Sequence, residues 1–378
     1  MLDLELSEEQ QLLKDSADRF VERDYGFDVR RKAAATEDGF RRETWKQMAE
    51  LGWLSVGMPE DQGGFGGAKD IAVLMESMGR GLVAEPYLAN VVLAGSAVAL
   101  AGSDDQRRTL LEPMMAGDLL LALAYAEPRS RYDLAHVATR AEKSGDSWTL
   151  NGTKGLVING DTADRLIVSA RTSGDDKDRD GLSLFVVDAG ADGASMRAYP
   201  TNDGGRAAEV TLDHVSVDGD ALLGAEGSAF AALEETIDRA AAAVCAESLG
   251  LMAVLNDLTL DYSKTREQFG QAIGSFQALQ HRMVDMFVAL EESRSLTTVY
   301  MPDVESDDIT ERQLAVSAMK VQCDKAGRTV GQEAIQLHGG IAMTDDYMAS
   351  HYFKRLSVIH RLFGDVDWHL SRYADLTA

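Results

Sequence analysis

The chain has 378 residues, 45% of them hydrophobic and 26% charged, with a net charge of −25. That length allows two or three domains and a large core, and the composition is that of a globular protein. The acidic balance excludes a phosphate-backbone binder, which needs a basic face, but not a nucleotide cofactor, which needs only a few local donors.

Two isolated cysteines, Cys245 and Cys323, make no disulfide framework and point to a reducing compartment. No apolar run is expected to reach the roughly 18 residues of a membrane helix, and the opening MLDLELSEEQ lacks a signal-peptide pattern. The expectation is a cytoplasmic protein with no nucleic-acid or membrane partner.

Residues 1–117 read as a helical domain. Ser7-Glu8-Glu9-Gln10 is a capping-box pattern opening a helix to about Arg23. A second helix is predicted over Arg42–Glu50, stopping at Gly52. The glycine-rich stretch from Pro59 to Asp70 lacks the Gly-Lys-Ser/Thr ending of a phosphate loop and reads as a loop closed by an Asp70 N-cap. Helices are predicted over 71–82, 87–101 and 104–116.

Residues 118–224 change character to short alternating runs, Ser147–Leu150, Leu166–Ala170, Leu182–Val187 and Ala207–Leu212. Asn151-Gly152 and Asn159-Gly160 are turn signals, so a small β barrel or sandwich is expected. The run Asp176 to Gly181 imitates the start of a calcium loop, but the twelfth position is Val187, where a bidentate Glu is needed. A solvated hairpin tip is the better reading, and no metal site is expected.

Residues 225–378 return to helix. Segments over about 226–267, 276–299, 310–337 and 345–362, plus a short tail helix, suggest a four-helix bundle. The fold class expected is therefore mostly α with a central β domain. The stretch Ile237–Gly270 dominates: free of proline and rich in Ala and Leu, it predicts a helix of roughly 28–30 residues. One stripe carries Ala240, Ala243, Val244, Glu247, Leu251, Val254 and Leu258. Only Glu247 is polar, and a carboxylate on a buried stripe needs a partner or a job.

Several segments together resemble the acyl-CoA dehydrogenases along nearly the whole chain. Ala126-Glu127-Pro128 with Asp133 is similar to that family's Thr-Glu-Pro-x-x-Gly-Ser-Asp segment. Asn151-Gly152-Thr153-Lys154 and Asn159-Gly160 resemble its Asn-Gly-x-Lys…Asn-Gly hairpin. Arg266-x-Gln-Phe-Gly270 with Phe276-Gln277, and Gln336-Leu-His-Gly-Gly340 with Tyr347 and Tyr352-Phe353, resemble its two glycine-containing segments. The resemblance implies FAD, an acyl-CoA substrate and α,β-desaturation, with an electron-transfer flavoprotein or similar acceptor. It also implies that Arg266, Phe269, Gln277, Gln336, Gly339 and Gly340 hold the FAD pyrophosphate and adenosine, reaching a neighbouring subunit's flavin. Read alone, Arg266 is a helix-terminal charge and Gly339-Gly340 a helix stop.

Desaturation needs an acidified α-proton, a carboxylate within reach of it and a flavin on the other side of the Cα–Cβ bond. Most family members carry that carboxylate just before a Gly, a position that is Phe363 here, followed by Gly364. A second branch places it on the long helix at the position of Ala240. Glu247 lies two turns further on the same face and is the candidate base, in a manner resembling certain subunits of heteromeric sterol-type members. Asp365 and Asp367 are fallback bases, with Asp365 also a candidate N-cap. Ala126, Tyr132 and Leu156–Ile158 replace residues that in the family touch the flavin ring or thioester. Either a homo-oligomer with an altered pocket or a heterotetramer with an unlike subunit accommodates these departures. The alternatives to a dehydrogenase are a non-catalytic subunit completing a partner's flavin site, or a flavin oxidase or monooxygenase on the same fold.

Overall fold

The structure, a computed structural model, describes residues 5–378. Two compact units emerge: one made of the stretches up to Lys32, Ala68–Val83 and Ala241–Ala378, the other of Ala33–Gly67 and Ala84–Ala240.

In the first unit α1 (Glu8–Asp24) opens with the expected capping box, Ser7 Oγ accepting from Gln10 N and the Gln10 side chain closing back on Ser7 N. A helix without an N-cap signature, α2 (Phe27–Ala34), follows. The next helix of this unit, α4 (Ala68–Gly81), starts earlier than expected, so Asp70 lies in its first turn and is not its N-cap. There its carboxylate suits the positive end of the helix dipole.

The central helix α7 (Phe230–Thr265) has 36 residues, longer than predicted. Its middle is buried on every side, Ala241, Ala242, Cys245, Leu249, Met252 and Leu255 as completely as the predicted stripe. A helix apolar all round belongs in a core. An 18-residue window of it is apolar enough to cross a membrane by length and composition, which corrects the expectation that none would be, but 78% of that window is buried within the protein. Then come α8 (Gln277–Tyr300), α9 (Ile309–His338), α10 (Ala349–Ile359) and α11 (Val366–Thr377). Helices α8, α10 and α11 all pack on α9.

Glycines set the depth of α7 against α4. A Cβ built on Gly250 would lie 2.0 Å from the Glu76 carbonyl oxygen, and one on Gly79 2.2 Å from that of Glu247. Only hydrogen fits at such a crossing.

The second unit holds α3 (Arg42–Glu50), with the predicted bounds, and a buried π-helical stretch, Leu88–Gly95, that runs into α5 (Ser96–Ala101) and precedes α6 (Asp104–Met115). Its strands are β1 (Leu121–Ala124), β2 (Arg140–Ser144), β3 (Ser147–Ile158), β4 (Arg165–Arg171), β5 (Leu182–Asp188), β6 (Ala194–Pro200), β7 (Arg206–Asp218) and β8 (Leu222–Leu223). The order is β6-β7-β3-β2-β4-β5-β8, with β1 parallel to β4. The two halves join through a single parallel pair, Arg140 opposite Arg171. Their inner faces meet in one core where Trp148 of β3 touches Phe185 of β5 edge-on at 5.3 Å.

Asn159 sits in the left-handed conformation at φ 51°, as its turn signal predicts. Asn151-Gly152 is not a turn. It lies inside β3 at a register shift, where Asn151 Oδ1 accepts from His214 N at 2.8 Å. A Cβ on Gly152 would meet Thr139 Oγ1 at 2.3 Å, so this glycine permits a close approach instead. The loop of Asp176 joins antiparallel β4 and β5, and Val187 is a buried residue of β5.

Candidate active-site residues

Glu247 sits mid-way along α7 with 7% of its surface exposed. Its carboxylate is held by Arg355 of α10, Nε to Oε1 at 2.5 Å and a terminal nitrogen to Oε2 at 2.8 Å. This fork-on-fork pair fixes the plane of the carboxylate. Each oxygen accepts one guanidinium N–H, so further lone pairs remain. The backbone beneath is fixed too, because the Glu247 carbonyl lies against Gly79. Ala240 is fully buried and carries no acid.

Phe363 adopts φ 60° and is 5% exposed. Asp365 caps α11, accepting from Trp368 N at 3.1 Å, and Asp367 lies exposed in that helix's first turn. The capping reading of Asp365 therefore describes its geometry.

The residues expected to hold the dinucleotide lie at the ends of α7 and α9. Arg266 follows α7, and β9 (Glu267–Gln268) pairs with β10 (Gln271–Ala272) in a two-stranded hairpin. Phe269 and Gly270 form its tip at φ 54° and 80°, with 92% of Phe269 exposed. Gln277 opens α8. Gln336 is on the last turn of α9, and Gly339 ends that helix at φ 65°, ψ −143°, a conformation open almost only to glycine. An aromatic stack ties the two regions, Tyr262 of α7 to His338 of α9 at 4.7 Å and His338 to Tyr347 at 5.1 Å.

This donor set suits a dinucleotide. Arg266, Gln277, Gln336, Gly339 and Gly340 are all exposed, and a Cβ on either glycine would meet nothing within 4 Å. No side chain packs against either glycine, so the space beside them is open to a ligand, with the Gly339 N–H itself donating to the Ile335 carbonyl. Among the described residues no cluster of His, Cys, Asp or Glu is arranged to hold a metal.

A charged knot in the second unit was not read from the sequence. Lys154, with no exposed side-chain surface, donates to Glu127 at 2.7 Å and to Ser169 at 3.1 Å. Glu127 also accepts from Ala138 N, Thr139 N and Thr139 Oγ1 at 2.8, 3.0 and 2.6 Å. Burial pushes the Lys154 ammonium down to about 8 despite the Glu127 charge. Burial opposes the Glu127 charge as well, yet Lys154, Thr139 and Ala138 hold that carboxyl below its ordinary range. Arg171 completes the clamp with bonds to the carbonyls of Ala135 and Val137. Glu127 and Lys154 stand 27 positions apart, which no helical or strand period connects.

Comparison with known proteins bears on all three regions. Models of the N-terminal, middle and C-terminal domains of acyl-CoA dehydrogenase match residues 7–118, 122–215 and 227–375. A 3-(aryl)acrylate reductase of Clostridium sporogenes is 30% identical over 332 residues, 85% of this chain and 86% of that one. The ChsE4-ChsE5 complex from Mycobacterium tuberculosis contains a chain with TM-score 0.88 and 27% identity, the match covering 99% of this chain and 98% of that one. PigA in complex with FAD superposes at TM-score 0.89 with 25% identity, covering 99% and 98%.

Proposed function

The chain belongs to the acyl-CoA dehydrogenase family and is an FAD-dependent oxidoreductase, and from that premise we propose that it desaturates an acyl-CoA thioester with Glu247 as the base. The observation that carries the reading is the buried carboxylate of Glu247 on α7, clamped by Arg355 and by the Gly79 crossing. Bound FAD supplies the hydride acceptor. Arg266, Gln277, Gln336, Gly339 and Gly340 would hold the phosphates and nucleoside end of a neighbouring subunit's FAD by hydrogen bonds and charge. Glu247 takes the substrate's α-proton on a lone pair that Arg355 leaves open. Arg355 keeps the carboxylate in one orientation, so little reorganisation accompanies proton transfer. Phe363, at the position where most members carry the acid, has no group that accepts a proton.

The test is Glu247→Gln, assayed with acyl-CoA thioesters and an artificial electron acceptor. A base contributes about 10²–10⁴-fold, so activity is expected to fall by that factor while FAD stays bound. Activity within about twofold of the parent, less than any general base contributes, would make Glu247 a structural ion pair and place the base elsewhere in the assembly. The electron acceptor in the cell is proposed to be an electron-transfer flavoprotein or similar carrier, in a cytoplasmic setting. The similarity to a chain of the ChsE4-ChsE5 complex supports an unlike partner subunit, with a homo-oligomer as the alternative.

A second reading reverses the direction. One of the 30% identical relatives is a reductase, and the same carboxylate, protonated, delivers a proton to the α-carbon of an enoyl substrate. Turnover of an enoyl thioester with a reduced flavin donor, faster than that of the saturated thioester, would favour this direction.

A further inference from the structure

The C-terminal end of α10 is held by buried side chains. Lys320 of α9 has no exposed surface, and its ammonium donates to both Asp324 oxygens at 2.9 and 2.7 Å. The same ammonium donates to the carbonyls of Ile359 and Gly364, each at 3.1 Å. Ile359 is the last residue of α10, and its carbonyl also accepts from Leu362 N at 3.0 Å, so the cation sits at the negative end of the helix dipole.

The adjoining turn is strained and pinned. Phe363 has φ 60° and Gly364 φ 110°. His369 Nε2 lies 3.1 Å from the Phe363 carbonyl and its Nδ1 3.2 Å from Ser317 Oγ. A carbonyl only accepts, so the proton is on Nε2. A Cβ on Gly364 would meet His369 Nε2 at 2.6 Å. A bulky residue at positive φ persists only where its surroundings over-determine it, and such strain gathers at functional places.

A lysine–aspartate pair in a core adds little stability over well-packed apolar side chains. What this pair does hold is α10. Arg355 lies one turn before Ile359 on the same helix face, and Arg355 grips Glu247. We propose that Lys320, with Asp324, is a positioning residue for the reaction: it fixes the last turn of α10, which sets Arg355, which sets the Glu247 carboxylate. The inference rests on the base role proposed for Glu247. A displacement of about 1 Å at a reacting group lowers rate on the order of a hundredfold, so a remote anchor has leverage.

The test uses the FAD-loaded protein and the double variant Lys320→Met/Asp324→Leu, which leaves no lone buried charge. Melting temperature, kcat, KM and the pH profile of kcat are measured beside the parent and Lys320→Arg. The double variant is expected to fold, to lose about tenfold to a hundredfold in kcat with little change in KM, and to shift the acid limb of the profile. Lys320→Arg, which keeps the cation, is expected to restore most of the rate. A folded double variant with parental kcat and an unmoved acid limb overturns the proposal. If the double variant does not fold, Asp324→Asn serves, with a smaller loss and the same shift expected, and an unmoved limb again overturning it. Glu247→Gln in the same assay separates the failures. If it stays active, the base reading falls. If it is inactive while the anchor variants match the parent, only the positioning role falls.

Discussion

Gly79 and Glu247 meet backbone to backbone: a methyl group on Gly79 would sit 2.2 Å from the Glu247 carbonyl oxygen. Gly79→Ala therefore forces α4 and α7 apart at the candidate base. Overpacking of this kind costs about 1–3 kcal/mol. Gly250→Ala, which would strike the Glu76 carbonyl one turn along, serves as control. Both are expected to lower the melting temperature, with Gly79→Ala losing more activity than Gly250→Ala.

Arg355→Met leaves the Glu247 carboxylate in the core without its fork partner. Breaking a buried pair in this way costs roughly 3 kcal/mol. Denaturant unfolding of Arg355→Met and of Arg355→Met/Glu247→Gln checks it, the double variant recovering part of the loss. A single variant as stable as the parent would show the pair to be solvated.

Acid should weaken the anchor at the end of α10. Burial, then the Lys320 and Arg372 charges, push the His369 imidazole down to about 3, against an unfolded value of about 6.5. Between those values the unfolded chain binds a proton that the folded chain refuses. Stability is thus complete above the upper value and is lost as pH falls through the window toward the lower. Unfolding free energy measured across this range should fall less steeply in His369→Gln, which removes the titration.

Arg266→Met removes the cation at the foot of the hairpin. A charge-assisted hydrogen bond contributes about 1.5–3 kcal/mol, so FAD should bind roughly tenfold to a hundredfold more weakly. The ratio of flavin to protein absorbance after gel filtration reads this directly. Full flavin retention would remove Arg266 from the cofactor site.

Much of this architecture was legible locally. The Ser7 capping box, the bounds of α3 and the left-handed Asn159 follow from residues within a few positions of one another. The long helix was legible because Ala and Leu dominate it, although a single apolar stripe does not announce its all-round burial. Asn151-Gly152 misled because the dipeptide that favours a hairpin also suits a register shift beside Thr139. The α2 helix has no cap to announce it. Least legible were the charge pairs. Glu247 stood out as the odd member of an apolar stripe, but Arg355 lies 108 positions away on a separate helix, and no periodicity links them. Lys320 and Asp324 are one turn apart, and on sequence such a pair reads as an ordinary solvent-facing couple.

The unit that carries Glu247 is assembled from three separate lengths of chain, the last beginning only at Ala241. During synthesis α1 and α4 leave the ribosome long before α7 exists to receive them. The segment holding α4 ends at Val83 and the rest of its unit begins only at Ala241, so the intervening chain must be made before the unit can close. Late closure of distant segments slows folding and exposes sticky surface. Truncation anywhere in the C-terminal third thus strands the N-terminal helices as well, and chaperone capture of nascent chains is the expected accompaniment of this layout.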